Sequence, residues 1–218
     1  KFYKAAKEKG IKPIIGCEVY VAPRSRDDKN DKLDRTPYHL VLLCENNIGY
    51  NNLVKLVSLS SIEGFYSKPR VDIEILEKYH EGLIALSGCI AGEVPRKILD
   101  KDFEGAKETI SRYKNIFGEN NYLIEHQHHG IQEEKIVLPS LYKFAEEVGV
   151  GVVATNDAHY INREDSIVQK VLVAIQTNTK IDEDSGMSLP NDEFYLKSYE
   201  EMSELFKYAP SAIENTVK

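Results

Sequence analysis

The stretch ATNDAHY, residues 154–160, places a carboxylate and an imidazole two positions apart. In extended backbone Asp157 and His159 point to one side. They follow an apolar run, VGVVATN at 150–156, and so stand at a predicted strand end. A carboxylate with an imidazole suits Zn²⁺ or Mn²⁺. A reading of equal weight has Asp157 cap the next helix and His159 make a structural hydrogen bond. YLIEHQHHG, 122–130, holds three histidines in four residues. Alternation sets Glu125, Gln127 and His129 on one face and His126 and His128 on the other. Surface or structural roles outweigh ligation for His126 and His128, whereas His129 stays open. Glu18 interrupts the apolar strand PIIGCEVYVA, 13–22, sharing a face with Tyr20. A carboxylate there is costly unless it is paired, metal-bound or in water. His39 enters the run YHLVLLC, 38–44, and a lone histidine there is more often a satisfied core residue. Cys89 follows GLIALSG, 82–88, at another strand end, and gains interest only if other ligands converge on it. Cys17 and Cys44 read as core.

Together Glu18, His39, Cys89, Asp157 and His159 fall in, or at the ends of, four of five predicted core strands. Such a set suits a polynuclear metal site. His39 is the misfit: it starts its run, whereas Cys89 and Asp157 end theirs. Either that strand begins later or it is oriented differently from the rest. The loop GFYSKPR, 64–70, interleaves Phe65 and Tyr66 with Lys68 and Arg70. Rings beside cations suit stacking on single-stranded nucleic acid, although a surface loop with two anchored rings is the favoured reading. The chain has no phosphate-binding Gly-rich loop, no G-x-S-x-G and no H-E-x-x-H.

The elements that must position these residues alternate. Strands are predicted at 13–22, 38–44, 82–88, 121–127 and 150–156. Helices are predicted at 49–60, 72–80 (opened by Asp72), 91–99, 102–117, 131–148, 163–176, 199–207 and 210–217. A short strand is expected at 194–197, and mobile charged or polar loops at 24–36 and 177–193. This order predicts an α/β fold with a largely parallel sheet. Residues 1–176 read as one domain, and 177–218 as loop and helices packed on its side. The opening KFYKAAKEKG reads as the end of an amphipathic helix stopped by Gly10, which suggests sequence upstream.

The 218 residues suffice for one large domain or two small ones. Hydrophobic residues make up 42% and charged residues 29%, as in soluble globular proteins. No apolar run is long enough to span a membrane. The net charge of −7 argues against wrapping nucleic acid by bulk charge, though not against a local basic patch. Three irregularly spaced cysteines predict reduced thiols and a cytoplasmic setting.

GIKPIIGCEVYVAP, YHLVLLCENNIGYNNLVKL, GLIALSGCIAGEV, ATNDAHY and EFYLKSYEEM together resemble the PHP (polymerase and histidinol phosphatase) domain of bacterial DNA polymerase III alpha subunits. The likeness runs over nearly the whole chain, in order. It implies a distorted barrel of seven strand–helix units, here without its first strands, and up to three divalent metals, Zn or Mn, at one mouth. By the same resemblance the ligands are Glu18, His39, Cys89, Asp157 and His159, with Glu18 bridging two metals. Glu18, Asp157 and His159 would carry catalysis, with Glu125 and His129 supporting from behind. The family's His-x-His and Asp-His-Gly segments would lie upstream of residue 1, and the polymerase aspartates beyond the chain. The implied activity is metal-dependent phosphodiester hydrolysis, as a 3′–5′ proofreading exonuclease within a replicative polymerase. The implied partners are DNA, the rest of the alpha subunit, and proofreading and clamp subunits. A non-catalytic docking module is the alternative, and a free-standing phosphatase is disfavoured by the GCEVY and YLKSYEEM contexts. The chain alone is expected to bind metal weakly and to lack exonuclease activity.

Overall fold

A computed structural model describes residues 1–181 and 188–217. In chain order the elements are α1 (Phe2–Glu8), β1 (Gly16–Val21), β2 (Tyr38–Cys44), α2 (Asn47–Ile62), β3 (Arg70–Val71) and α3 (Ile73–Lys78). They continue with β4 (Leu83–Leu86), α4 (Glu93–Leu99), α5 (Phe103–Phe117), β5 (Tyr122–His126), α6 (Gln132–Val148) and β6 (Gly151–Ala154). The last are α7 (Ser166–Thr177), α8 (Tyr199–Leu205) and α9 (Pro210–Glu214). The caps are chemical. Asn46 accepts from the amides of Ile48 and Gly49, Asp72 from Ile75, and Asp102 from Gly105.

The strands form one six-stranded sheet in the order β3-β1-β2-β4-β5-β6, open among the described residues. β2 runs antiparallel to both its neighbours, and the other pairings are parallel. The α/β class therefore stands, but a run of parallel strands does not continue through β2. Its reversal removes the misfit of His39, because the start of β2 lies at the same sheet end as the close of β4. β3 was not foreseen. It is two residues long, too short for a periodic signal. The strand expected at 194–197 reduces to a single bridge between Tyr160 and Tyr195.

Register divides the sheet into two faces. Val19, Leu40, Leu42, Ala85, Ile124 and Val152 are buried and share a core with Leu56, Leu76, Ile110, Val137 and Leu141 from the helices. Phe206, Ala209 and Ala212 join that same core, and Asn215 Nδ2 donates to the Val152 carbonyl at 2.7 Å. The described part of 177–218 thus covers the outer side of β6. Residues 182–187 of the expected loop lie outside the described residues. The opposite face carries Glu18, Tyr20, His39 and Val41, none fully buried.

The charged segment 24–36 is not the free loop its composition suggests. Asp34 is fully buried and takes a two-point bond from Arg24, at 2.9 and 2.6 Å. Arg26 donates to Asp72 at the start of α3. A run of charges gives no hint of partners so distant in sequence.

Candidate metal centre

Glu18 sits in the middle of β1 opposite Val41, and His39, the second residue of β2, lies opposite Tyr20. Paired positions share a face, so the two side chains meet. His39 Nδ1 stands 3.0 Å from Glu18 Oε1. Cys89 lies just beyond β4, on a turn that brings its Sγ to 3.5 Å from the same nitrogen. Two backbone features build that turn. Gly88 has φ +80°, and an added Cβ would meet the His39 carbonyl oxygen at 2.6 Å. The His39 amide donates to the Ala91 carbonyl at 3.1 Å, and the Ala91 amide donates to Cys89 Sγ. The ligand-type atoms of Glu18, His39 and Cys89 all lie within 4.8 Å of one another. Donors around one Zn²⁺ stand roughly 3–4 Å apart, so one oxygen, one nitrogen and one sulfur at this spacing fit a divalent ion.

The electrostatics are those of a charged cluster. The Cys89 sulfur and then the Glu18 carboxylate push His39 up to about 10. Its hydrogen bond holds Glu18 below the usual carboxylate range, with the charges of Lys68 and His159 adding to the effect. Glu18 is about half exposed, which answers the cost of a mid-strand carboxylate: its face is open.

Asp157 and His159 fall outside this tight trio. The backbone at Asp157 is left-handed, with φ +45°, so the two side chains do not project from an extended strand as expected. His159 Nδ1 instead donates to the Asp157 carbonyl at 2.8 Å. In the neutral ring Nε2 then carries the lone pair, as a ligand requires. The His159 amide donates to the Phe194 carbonyl, and its ring meets Phe194 edge-on.

Behind the centre, Glu125 is buried and raised by desolvation. It accepts from the Gly88 amide at 3.1 Å, from Gln127 and from Thr155, and so ties the ends of β4, β5 and β6 together. His129 is buried against Phe194, ring on ring at 4.0 Å. Its Nδ1 faces Glu134 at 2.7 Å and its Nε2 the Asn156 carbonyl at 3.0 Å, so neither nitrogen is left for a metal. Sequence reading missed Ser87, whose hydroxyl oxygen accepts from the Glu125 amide at 2.9 Å, and also Thr155 and Phe194. Small hydroxyls and a lone ring carry no pattern of their own, and only their place beside strand ends could have raised them.

The predicted nucleic-acid loop divides. Arg70 is fully buried, and its Nε, Nη1 and Nη2 all donate to carbonyls of Gly64, Asp34, Arg26 and Asp28. It therefore has no role on the surface, which corrects the expectation. Tyr66 is held by Asp31 through its hydroxyl. Phe65 and Lys68 remain exposed. Among the described residues no helix is long and apolar enough to cross a membrane.

Residues 1–129 match the sequence profile of the PHP domain family. The whole chain is similar to DNA polymerase III subunit alpha of Borreliella burgdorferi, 50% identical over 219 residues that make up 19% of that protein. The corresponding subunits of Treponema pallidum and Thermus aquaticus are each 45% identical across the whole chain, over 19% and 18% of their lengths. The chain spans about a fifth of the length of these curated relatives.

Proposed function

The chain belongs to the PHP domain family, and from that premise we propose that it is the PHP portion of a replicative DNA polymerase alpha subunit whose metal centre hydrolyses phosphodiesters at DNA 3′ ends. The observation that carries this reading is the meeting of Glu18 and His39, from the adjacent strands β1 and β2, with Cys89 from the turn after β4. A divalent ion held there, Zn or Mn, would supply Lewis acidity and activate water. The residues do the rest. Glu18 keeps its charge beside His39 on the open face and would be one of the residues that hold the metal. His39 gives up its proton to become a ligand. Asp157 and His159 would complete the ligand set, a reading supported by the nearness of His159, whose charge acts on Glu18. Glu125 and His129 hold the loops that carry Cys89 and Asp157. DNA, the remainder of the subunit, and proofreading and clamp subunits are the partners this reading entails.

A second reading rests on α7. That helix buries none of its residues, and Ile167, Val168, Val171, Leu172 and Ile175 are exposed. A face of this kind favours a module that packs against the rest of a longer subunit.

Elemental mass spectrometry on the full-length subunit, beside its Asp157→Asn variant, separates the two. Two to three equivalents of Zn or Mn, reduced in the variant, together with 3′-end trimming of single-stranded DNA, support hydrolysis. An absence of metal from both proteins would leave the packing role.

A further inference from the structure

The loop at 64–70 is built, not draped. Arg70 closes it from beneath by donating to the Gly64 carbonyl at 3.0 Å. Gly64 has no room for a side chain, since an added Cβ would lie 2.0 Å from the Arg70 oxygen. The Tyr66 amide donates to the Lys68 carbonyl at 3.0 Å across Ser67, whose φ is +62°. Tyr66 is pinned to Asp31. Phe65, Ser67 and Lys68 are exposed, and of these Phe65 and Lys68 carry a ring and a charge.

The pairing of β1 with β3 places Arg70 opposite Tyr20 and so brings this loop against the metal centre. Lys68 Nζ donates to the Tyr20 hydroxyl at 3.0 Å and stands 4.3 Å from the centre of its ring. The Tyr20 ring in turn meets His39 edge-on at 5.1 Å. The hydrogen-bond partner of Lys68 is a phenol hydroxyl, and its charge, which also acts on Glu18, is not closed off in a direct ion pair among the described residues. In a chain of net charge −7, a cation on the rim of the centre is where a phosphate would be drawn. Two ring contacts separate Lys68 from His39, which suits a phosphate next to the one being cleaved.

We propose that Lys68, seated on Tyr20, and the exposed Phe65 of the same loop clamp single-stranded nucleic acid beside the metal centre, Lys68 taking the neighbouring phosphate and Phe65 stacking on a base. This rests on the hydrolytic reading given above. Tyr20 acts as a positioning residue, since it holds the ammonium group and packs on His39.

The test compares two substrates on the full-length subunit. Thymidine trinucleotide has a neighbouring phosphate and bases, and is too short to occupy a primer–template site. Bis(p-nitrophenyl) phosphate has neither. Lys68→Ala should raise KM for the trinucleotide by roughly tenfold with kcat little changed, a factor set by loss of one phosphate contact. Phe65→Ala should act in the same direction, Lys68→Arg should restore KM, and the loss should be far smaller on the small diester. Lys143→Ala, on the exposed side of α6, is the control. An unchanged trinucleotide KM in Lys68→Ala overturns the clamp while leaving the hydrolytic reading in place. Equal loss on both substrates, with loss of metal, would make Lys68 part of the centre's framework and also overturns it. A wild-type subunit that cleaves neither substrate removes the hydrolytic reading and the clamp with it.

Discussion

His126 is fully buried on the helix-packed face, and its Nε2 meets no partner among the described residues. Burial pushes its pKa down to about 4, from 6.5 in an unfolded chain. The unfolded state therefore binds a proton between those values and the folded state does not, so stability falls as pH drops through this window. The loss between pH 7 and pH 5 should be about 2 kcal/mol. The change in pH dependence between wild type and His126→Phe, by urea unfolding at the two pH values, measures it, because the raised His39 contributes in the opposite sense over the same range. At pH 7 that variant should stay within about 1 kcal/mol of wild type, since it replaces an unsatisfied polar atom with an apolar one. Gly88 is the second sensitive residue. Gly88→Ala places a side chain in left-handed backbone and against the His39 carbonyl. It should lower metal content more than it lowers Tm, which elemental analysis beside a thermal melt would show.

Among the elements, α3 depends on one carboxylate. Asp72 caps the helix and receives both the Arg26 amide and its guanidinium, while almost fully buried. Asp72→Ala should cost about 2 kcal/mol, since it removes a cap and one of three carboxylate partners of Arg26, which keeps Glu63 and Glu74. Denaturant unfolding would reveal this, and a loss under 1 kcal/mol would mean that 24–36 contributes little to the fold. Leu42, at the centre of β2 and fully buried, should cost about 2–5 kcal/mol on truncation to Ala. Five strands and the main helices were legible because buried runs and amphipathic periods are local signals. The direction of β2 was not, because YHLVLLC reads the same in either orientation. The identity of Glu18, His39 and Cys89 as candidates came from polar residues intruding on apolar runs. Their meeting depends on register, which no local pattern carries. Arg70 was misjudged for the same reason: three of its four carbonyl partners come from the distant segment 24–36 and one from its own loop, and the sequence shows only its charge.

For the whole molecule, the exposed apolar face of α7 predicts self-association of the 218-residue chain when it is made alone. Sedimentation should show concentration-dependent association, and the double substitution Val168→Glu and Val171→Lys should reduce it. If the substituted chain associates as before, some other surface is responsible.

The bond from Asn215 to the Val152 carbonyl, with α9 laid along β6, has a consequence during synthesis. A ribosome adds residues at about 5–20 per second, so several seconds pass between the emergence of β6 and that of the helix that shields it. Over that interval the newborn chain presents a bare edge of Gly151–Ala154 to any neighbour on the same message. A nascent-chain binding factor, or slow translation past residue 154, would therefore have its strongest effect on the yield of this protein over that stretch.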